Sequence, residues 1–413
     1  MSLAQNCVSG AVGALNAGGR ALRRFGADPP SLEIDQLRRA AFHRAGSTSF
    51  GAWDFAEPLE RLLKSYRDEA ELTTLGRITV RELLVSLLEN LLRMEAERAA
   101  NPVIERQEIV APVFIVGLPR TGTTHLHGII SQDPASRAPF TWEVMYPAAP
   151  VATRREIDDA RARTDGRLTW AKRLAPEFMR IHPIAADLPQ ECIAITAQTF
   201  MSIQFHTTHN VPSYQDWFED AVQDLGLDFH RRLLQHLQAK RPGNRWVLKA
   251  PGHLFALEGL LKRYPDARVI HTHRDPLRVM ASMASHATVL RRAFSDHADP
   301  RQIAADWADR WARALDRFLA VRDRARPEQF LDVDFDAIEA DPLGTIETVY
   351  DFLGWRVTAE ARNAIDAFLA ANPKNKHGVH RYTLEEFGLS RAGETARFRA
   401  YCERFGIAVR SER

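Results

Sequence analysis

The sequence has only three cysteines among its 413 residues, Cys7, Cys192 and Cys402. Far apart and odd in number, they supply neither a disulfide framework nor a zinc cluster, and a reducing compartment is the simplest reading. No run of about 18 apolar residues occurs anywhere, so no integral membrane segment is expected. The N-terminal stretch MSLAQNCVSGAVGALNAGGRALRRFG is interrupted by Gln5, Asn6, Asn16 and several glycines, so it lacks a long apolar core. An excess of one charge is missing too: 55 Lys and Arg stand against 53 Asp and Glu. Nothing therefore points to nucleic acid, whose partners carry a basic footprint. These absences predict a soluble cytoplasmic protein, and with 45% hydrophobic residues the chain is able to bury a full core.

What is present is organised around Ala111 to Asp133, APVFIVGLPRTGTTHLHGIISQD. Val113, Phe114, Ile115 and Val116 form an apolar, β-favouring run of the kind buried on both faces of a parallel sheet. Gly117 ends it, and the loop from Leu118 to Thr123 leads into a helix whose first N–H groups lack intrahelical partners and attract phosphate. Gly117, four residues, then Gly122, Thr123 and Thr124 is the spacing of the nucleotide-triphosphate loop, with Thr123 where the lysine should stand. That lysine reaches β- and γ-phosphates. Its loss, with a cation at Arg120 inside the loop, argues against ATP or GTP and for a ligand with a shorter anionic tail.

Strand, loop and helix recur further on. Arg245 to Lys249 and Arg268 to His273 read as two more short strands, each followed by a helix, and Gln329 to Val333 reads as a fourth. Residues 1–110 read as helices, with Leu83, Leu84, Leu87, Leu88, Leu91 and Leu92 recurring behind a capping box at Thr79 and Glu82 until Asn101-Pro102 stops the run. That stripe is packing, either against the α/β core or against a second copy in a homodimer. The fold class is thus α/β, a P-loop-type parallel sheet flanked by helices. A helical region covers 1–110, and a nucleotide-binding domain covers 111–413 with a helical cap inserted at 138–244.

Three further motifs join the loop: HRDPLRVMASMAS, with Arg274 at a strand end and Ser282 eight residues on; WVLKAPGHL, with Lys249 and His253; and KNKHGVHRY near the C-terminus. GLPRTGTT resembles the 5′-phosphosulfate loop of the sulfotransferases, which use 3′-phosphoadenosine 5′-phosphosulfate (PAPS), and the Arg274 and Ser282 pair resembles their 3′-phosphate motif. The resemblance runs from residue 111 to about 390, and residues 1–110 carry none of the motifs on which it rests. It implies that Pro119, Arg120, Thr121, Gly122, Thr123 and Thr124 hold the phosphosulfate, and that Arg274 and Ser282 grip the 3′-phosphate. Lys249 would face the bridging oxygen as negative charge grows there, with Arg120 beside it. Lys376, Gly378 and Arg381 would belong to a late basic loop over the 3′-phosphate. Phe335 stands where many relatives have a tyrosine near the adenine.

Sulfuryl transfer needs alignment, stabilisation of the leaving phosphate and a base for the acceptor's proton. Family members use either a glutamate about twenty residues past the loop or a histidine after the lysine strand. Glu143, flanked by Trp142, Val144 and Met145, is preferred over His253 and His125, since an apolar setting strengthens a carboxylate as a base. Glu191 in LPQEC is either a helix cap or a cleft residue. His271 and His273 share a strand face without a third ligand spaced to help, and PAPS chemistry requires no metal, so none is expected. A P-loop kinase, which should carry a lysine at position 123, and a non-catalytic nucleotide-binding protein are the rival readings. The acceptor is expected to be a hydroxyl of a small molecule, lipid or glycolipid.

Overall fold

Strand β1 (Val113–Gly117) is buried along its whole length because it occupies the middle of a sheet with helices on both faces. The computed structural model describes residues 3–26, 28–174, 184–221, 223–243, 245–372 and 382–409. Its other strands are β2 (Ser136–Arg137), β3 (Arg245–Lys249), β4 (Arg268–His273) and β5 (Phe330–Asp334). They lie in the order β2-β3-β1-β4-β5, and every pairing is parallel. Successive side chains of β1 point to opposite faces. Val113 and Ile115 enter a smaller core with Leu126, Ile346, Val349 and Ile365, while Phe114 and Val116 enter the larger core.

The N-terminal region holds helices α1 (Leu3–Arg24), α2 (Ile34–Ala45), α3 (Ala56–Asp68) and α4 (Thr74–Ala100), and the last three contribute residues to that larger core. Leu84, Leu88 and Leu91 of α4 are fully buried in one cluster with Phe114 and Leu248, so the leucine stripe is covered by its own chain. Helix α4 begins earlier than the Thr79 and Glu82 box predicts. Thr73 is the cap, its hydroxyl accepting from the Gly76 N–H at 3.0 Å. Glu82 instead pairs with Arg44 on α2, and Thr79 donates to the Gly76 carbonyl. A capping pattern in the sequence was thus drawn into tertiary contacts and an interior turn.

Register places the chemistry. Ile115 pairs with Lys249 and Gly117 with Thr272, so the carboxyl ends of β1, β3 and β4 lie side by side, where open α/β sheets bind ligands. Helix α5 (Thr123–Ile130) leaves that edge directly after β1. Between β2 and β3 the cap opens with α6 (Thr141–Met145) and α7 (Arg154–Leu174) and continues in shorter helices. No described helix is long and apolar enough to cross a membrane.

The docking of α4 offers a test. A Cβ on Gly76 would lie 2.2 Å from the backbone oxygen of Phe294, the acceptor that also takes the Thr73 N–H. Gly76→Ala should destabilise the protein by roughly 1 to 3 kcal/mol, the usual cost of overpacking. Gly18→Ala, with nothing within 4 Å, should be neutral or stabilising, because alanine favours a helix over glycine. Urea unfolding should show a lowered midpoint for Gly76→Ala and an unchanged or raised one for Gly18→Ala.

Candidate active site

The loop after β1 is held shut by its own small residues. A Cβ on Gly117 would come within 2.4 Å of the Thr272 hydroxyl, so only glycine lets β1 run this close to the end of β4. The Thr121 hydroxyl donates to the Leu118 carbonyl at 2.7 Å and meets the Thr272 hydroxyl at 2.7 Å, which closes the loop on itself and pins it to β4. Arg120 and Gly122 both take left-handed backbone angles, φ 67° and 85°. Gly122 is the N-cap of α5 and offers no side chain to its first N–H groups. The helix therefore starts with donors directed at the strand ends, as an anion requires.

Two groups from distant positions, the Ser282 hydroxyl and the Arg274 guanidinium, converge on Arg120 of this loop. Arg120 Nε donates to Ser282 Oγ at 3.2 Å, and Arg274 Nη1 donates to the Arg120 carbonyl at 2.7 Å. The Arg274 guanidinium lies 3.9 Å over the ring of Phe335, so the phenylalanine at the position of the family's tyrosine stacks on an arginine here. Desolvation, then the charges of Arg120 and Arg278, lower the Arg274 pKa. Crowded like charges of this kind favour an anion between them.

On the β3 side, Lys249 is buried and its ammonium donates to Thr124 Oγ1 of α5 at 3.1 Å and to Glu191 Oε1. Glu191 immediately precedes the short helix Cys192–Thr196 and makes no side-chain cap bond to it. Here a buried carboxylate meets the lysine held against the loop helix, and the sequence signal for it was only a polar residue opening an apolar helix. His253 lies just beyond, in the turn Pro251–Phe255, edge-on to Phe114 at 5.1 Å. Burial, against the opposing charge of Glu191, lowers its pKa to about 4, so the imidazole is neutral at pH 7. With Ile193, Met201, Ile203, Phe218 and Leu227 it lines a small apolar cleft. His125 is turned toward Phe368.

Glu143 requires a correction. Its carboxylate is 2% exposed and accepts four hydrogen bonds: two from Arg137 at 2.9 and 2.7 Å, one from Arg241 at 2.9 Å and one from the Phe140 N–H at 2.9 Å. A carboxylate so committed anchors the first turn of α6 and neutralises two guanidiniums. It has no oxygen left for an acceptor's proton, and the base role expected for it fails on geometry. The sequence showed its apolar neighbours but not the arginines, one of which arrives from 98 residues away.

His271, His273 and Asp332 bring ligand atoms within 4.8 Å of one another. Asp332, however, is gripped by both ends of the Arg322 guanidinium at 2.7 Å. Arg322 also contacts His271, and His273 is shared between Asp332 and Tyr401. These ion pairs and hydrogen bonds tie β4 to Arg322, Asp332 and Tyr401 as a structural knot. Lys376, Gly378 and Arg381 lie outside the described residues.

Comparison with known proteins gives a consistent picture. Residues 112–359 match the model of the sulfotransferase family. The omega-hydroxy-beta-dihydromenaquinone-9 sulfotransferase Stf3 of Mycobacterium bovis is 24% identical over 292 residues, covering 67% of this chain and 71% of that protein. The crystal structure of sulfotransferase STF1 from Mycobacterium tuberculosis H37Rv superposes with a TM-score of 0.80 at 34% identity, covering 89% of this chain and 98% of its own. Sulfotransferase STF9 from Mycobacterium avium gives 0.81 at 24% identity, covering 93% and 99%.

Two outcomes follow from the buried groups. Glu143→Gln should remove the counter-charge of Arg137 and cost roughly 3 to 5 kcal/mol, as breaking a buried pair does, seen as a lower urea midpoint. Second, burial lowers His253 to about 4, and His127 and His230 each to about 3. Unfolded, these histidines take protons near pH 6.5, so between about 4 and 6.5 the unfolded chain binds more protons than the folded one. Their contribution to stability is complete above pH 6.5 and is lost as the pH falls through that window. His253→Gln should reduce the difference in stability measured at pH 7 and pH 5.

Proposed function

This chain belongs to the sulfotransferase family, and on that premise we propose that it moves the sulfuryl group of PAPS to a hydroxyl of an apolar acceptor. The observation that carries the reading is the meeting of Arg120, Ser282 and Arg274 beside a phosphate loop that lacks the triphosphate lysine. PAPS supplies an activated sulfuryl group on a 5′-phosphate together with a 3′-phosphate. The residues fit both anionic ends: the loop from Pro119 to Thr124 offers backbone donors and a closed cradle, and Arg274 with Ser282 offers charge-assisted donors eight residues apart. Lys249, fixed by Thr124, holds positive charge where the leaving phosphate gains negative charge. Its ammonium is already desolvated and oriented, so little reorganisation is needed during the reaction.

The acceptor class is supported by the cleft behind Lys249, whose lining is apolar apart from a few polar groups such as His253, Cys192 and Ser202. Such a wall recognises hydrocarbon by excluding water and leaves the hydroxyl to be placed by those few polar groups. The relative Stf3 is named for a hydroxylated menaquinone, which has that chemistry, and we read a hydroxylated lipid or comparable apolar metabolite as the acceptor. The cap and the helices of the first 110 residues would shape the pocket. The basic loop carrying Lys376, Gly378 and Arg381 would close on the 3′-phosphate. We read the protein as cytoplasmic, where both the donor and a membrane-derived lipid are within reach, and as requiring no metal.

The donor assignment is tested by ligand-induced thermal stabilisation. 3′-Phosphoadenosine 5′-phosphate should raise the melting temperature more than ATP with magnesium at equal concentration, and the reverse order would overturn the assignment. Arg274→Ala should weaken the bisphosphate about tenfold to a hundredfold, since a charge-assisted contact is worth roughly 1.5 to 3 kcal/mol. Adenosine 5′-phosphate, without the 3′ group, should lose far less.

A further inference from the structure

We propose that Glu191 is the base that takes the acceptor's proton, and that donor binding is what releases it for the task. The inference rests on the sulfotransferase reading above. Glu191 is delivered to the strand ends by a well-defined scaffold. The Gln190 N–H donates to the Pro139 carbonyl at 2.7 Å, Thr141 N–H to Leu188 at 3.0 Å, and Trp142 N–H to Ala186 at 3.2 Å. That short pairing ties residues 186–190 to the start of α6, the turn anchored by Glu143, Arg137 and Arg241. Glu191 is only 9% exposed, and its position borders both the loop helix, through Lys249 and Thr124, and the apolar cleft, through Cys192.

Without donor, the buried ammonium of Lys249 stands at the positive end of α5 and needs a counter-charge, because an uncompensated buried cation is costly. Glu191 supplies it. An arriving phosphosulfate brings anionic oxygens to the same helix end and competes for the same ammonium, which has three donors to distribute. Glu191 then shares its partner with a second anion. Loss of a cationic partner and arrival of a like charge both raise a carboxylate's affinity for a proton. The carboxylate thus becomes an effective base only once the sulfuryl group is in place. Among the described residues the other titratable groups that face it are His253 in the 251–255 turn, His127 on α5 and its chain neighbour Cys192. Both histidines are neutral near pH 7 and do not replace Lys249 as a counter-charge.

In the transfer step the acceptor's O–H bond breaks, its proton going to a Glu191 oxygen while the acceptor oxygen forms a bond to sulfur. The bond from sulfur to the bridging oxygen breaks, its electron pair staying on the 5′-phosphate, which faces Lys249. Glu191 then passes its proton to solvent.

The test reads proton uptake as well as turnover. Titration of 3′-phosphoadenosine 5′-phosphate into the full chain near pH 6, in buffers of different ionisation enthalpy, should show proton uptake by the unsubstituted protein in excess of that by Glu191→Gln. The variant should bind the bisphosphate at least as well, since Lys249 is freed. Its sulfuryl transfer should fall about 10² to 10⁴ fold, and the pH profile should lose its acidic limb. Glu191→Asp, which keeps a carboxylate, should recover part of the rate together with that limb. Equal proton uptake by the two proteins, or near-normal turnover in Glu191→Gln, would overturn the proposal while leaving the donor assignment intact. Failure of the unsubstituted chain to bind the bisphosphate would overturn both.

Discussion

The contact on which the rest of the site depends is the approach of Gly117 to Thr272. Parallel strands lie a fixed distance apart, but the loop leaving β1 must also turn over the end of β4, and it can do so only because position 117 has no side chain to strike the Thr272 hydroxyl. Thr121 completes the joint by bonding to the same hydroxyl. With the two strand ends locked together, Arg120 and Arg274 are brought to within one hydrogen bond of each other, although they are far apart in the chain. The pairing of Ile115 with Lys249 on the opposite side then fixes the lysine relative to the same loop. Three elements of binding chemistry are therefore consequences of register.

This explains which features could be read from the sequence. The loop, the strand that feeds it and the helix that follows are local: glycine spacing, a β-branched run and an amphipathic start sit within 23 residues. So do Arg274 and Ser282, whose separation of eight places them along one stretch of strand end and helix. Lys249 was legible for the same reason. Family resemblance added the ligand to geometry that spacing alone had outlined.

The features that escaped are those decided by distant partners. Glu143 and Glu191 look alike in sequence, each an acidic residue at the head of a short apolar segment. Arg137 and Arg241 close around the first, and Lys249 pairs with the second. An apolar sequence neighbourhood predicts desolvation but says nothing of which cation is folded against the carboxylate, and it is the cation that decides between anchor and base. The helix start at Thr73 escaped for a related reason: the Phe294 carbonyl receives that turn, and Phe294 lies in a turn 221 residues further along the chain.

The two carboxylates nevertheless belong to one device. Glu143 fixes the turn at Phe140; Phe140 and its neighbours pair with residues 186–190; and those residues carry Glu191 to Lys249. A doubly paired, immobile glutamate is suited to holding a scaffold, because leaving its arginines unpaired inside the protein is costly. A glutamate paired with a lysine that stands at a helix N-terminus is suited to changing its proton affinity, because an anion arriving at that end competes for the lysine. Placing the rigid carboxylate behind the responsive one means that donor binding can alter the charge around Glu191 without moving its backbone. On this view the cap's contribution to catalysis is transmitted through the buried arginine cluster, and the acceptor hydroxyl meets a base whose position is set before the donor arrives and whose strength is set after.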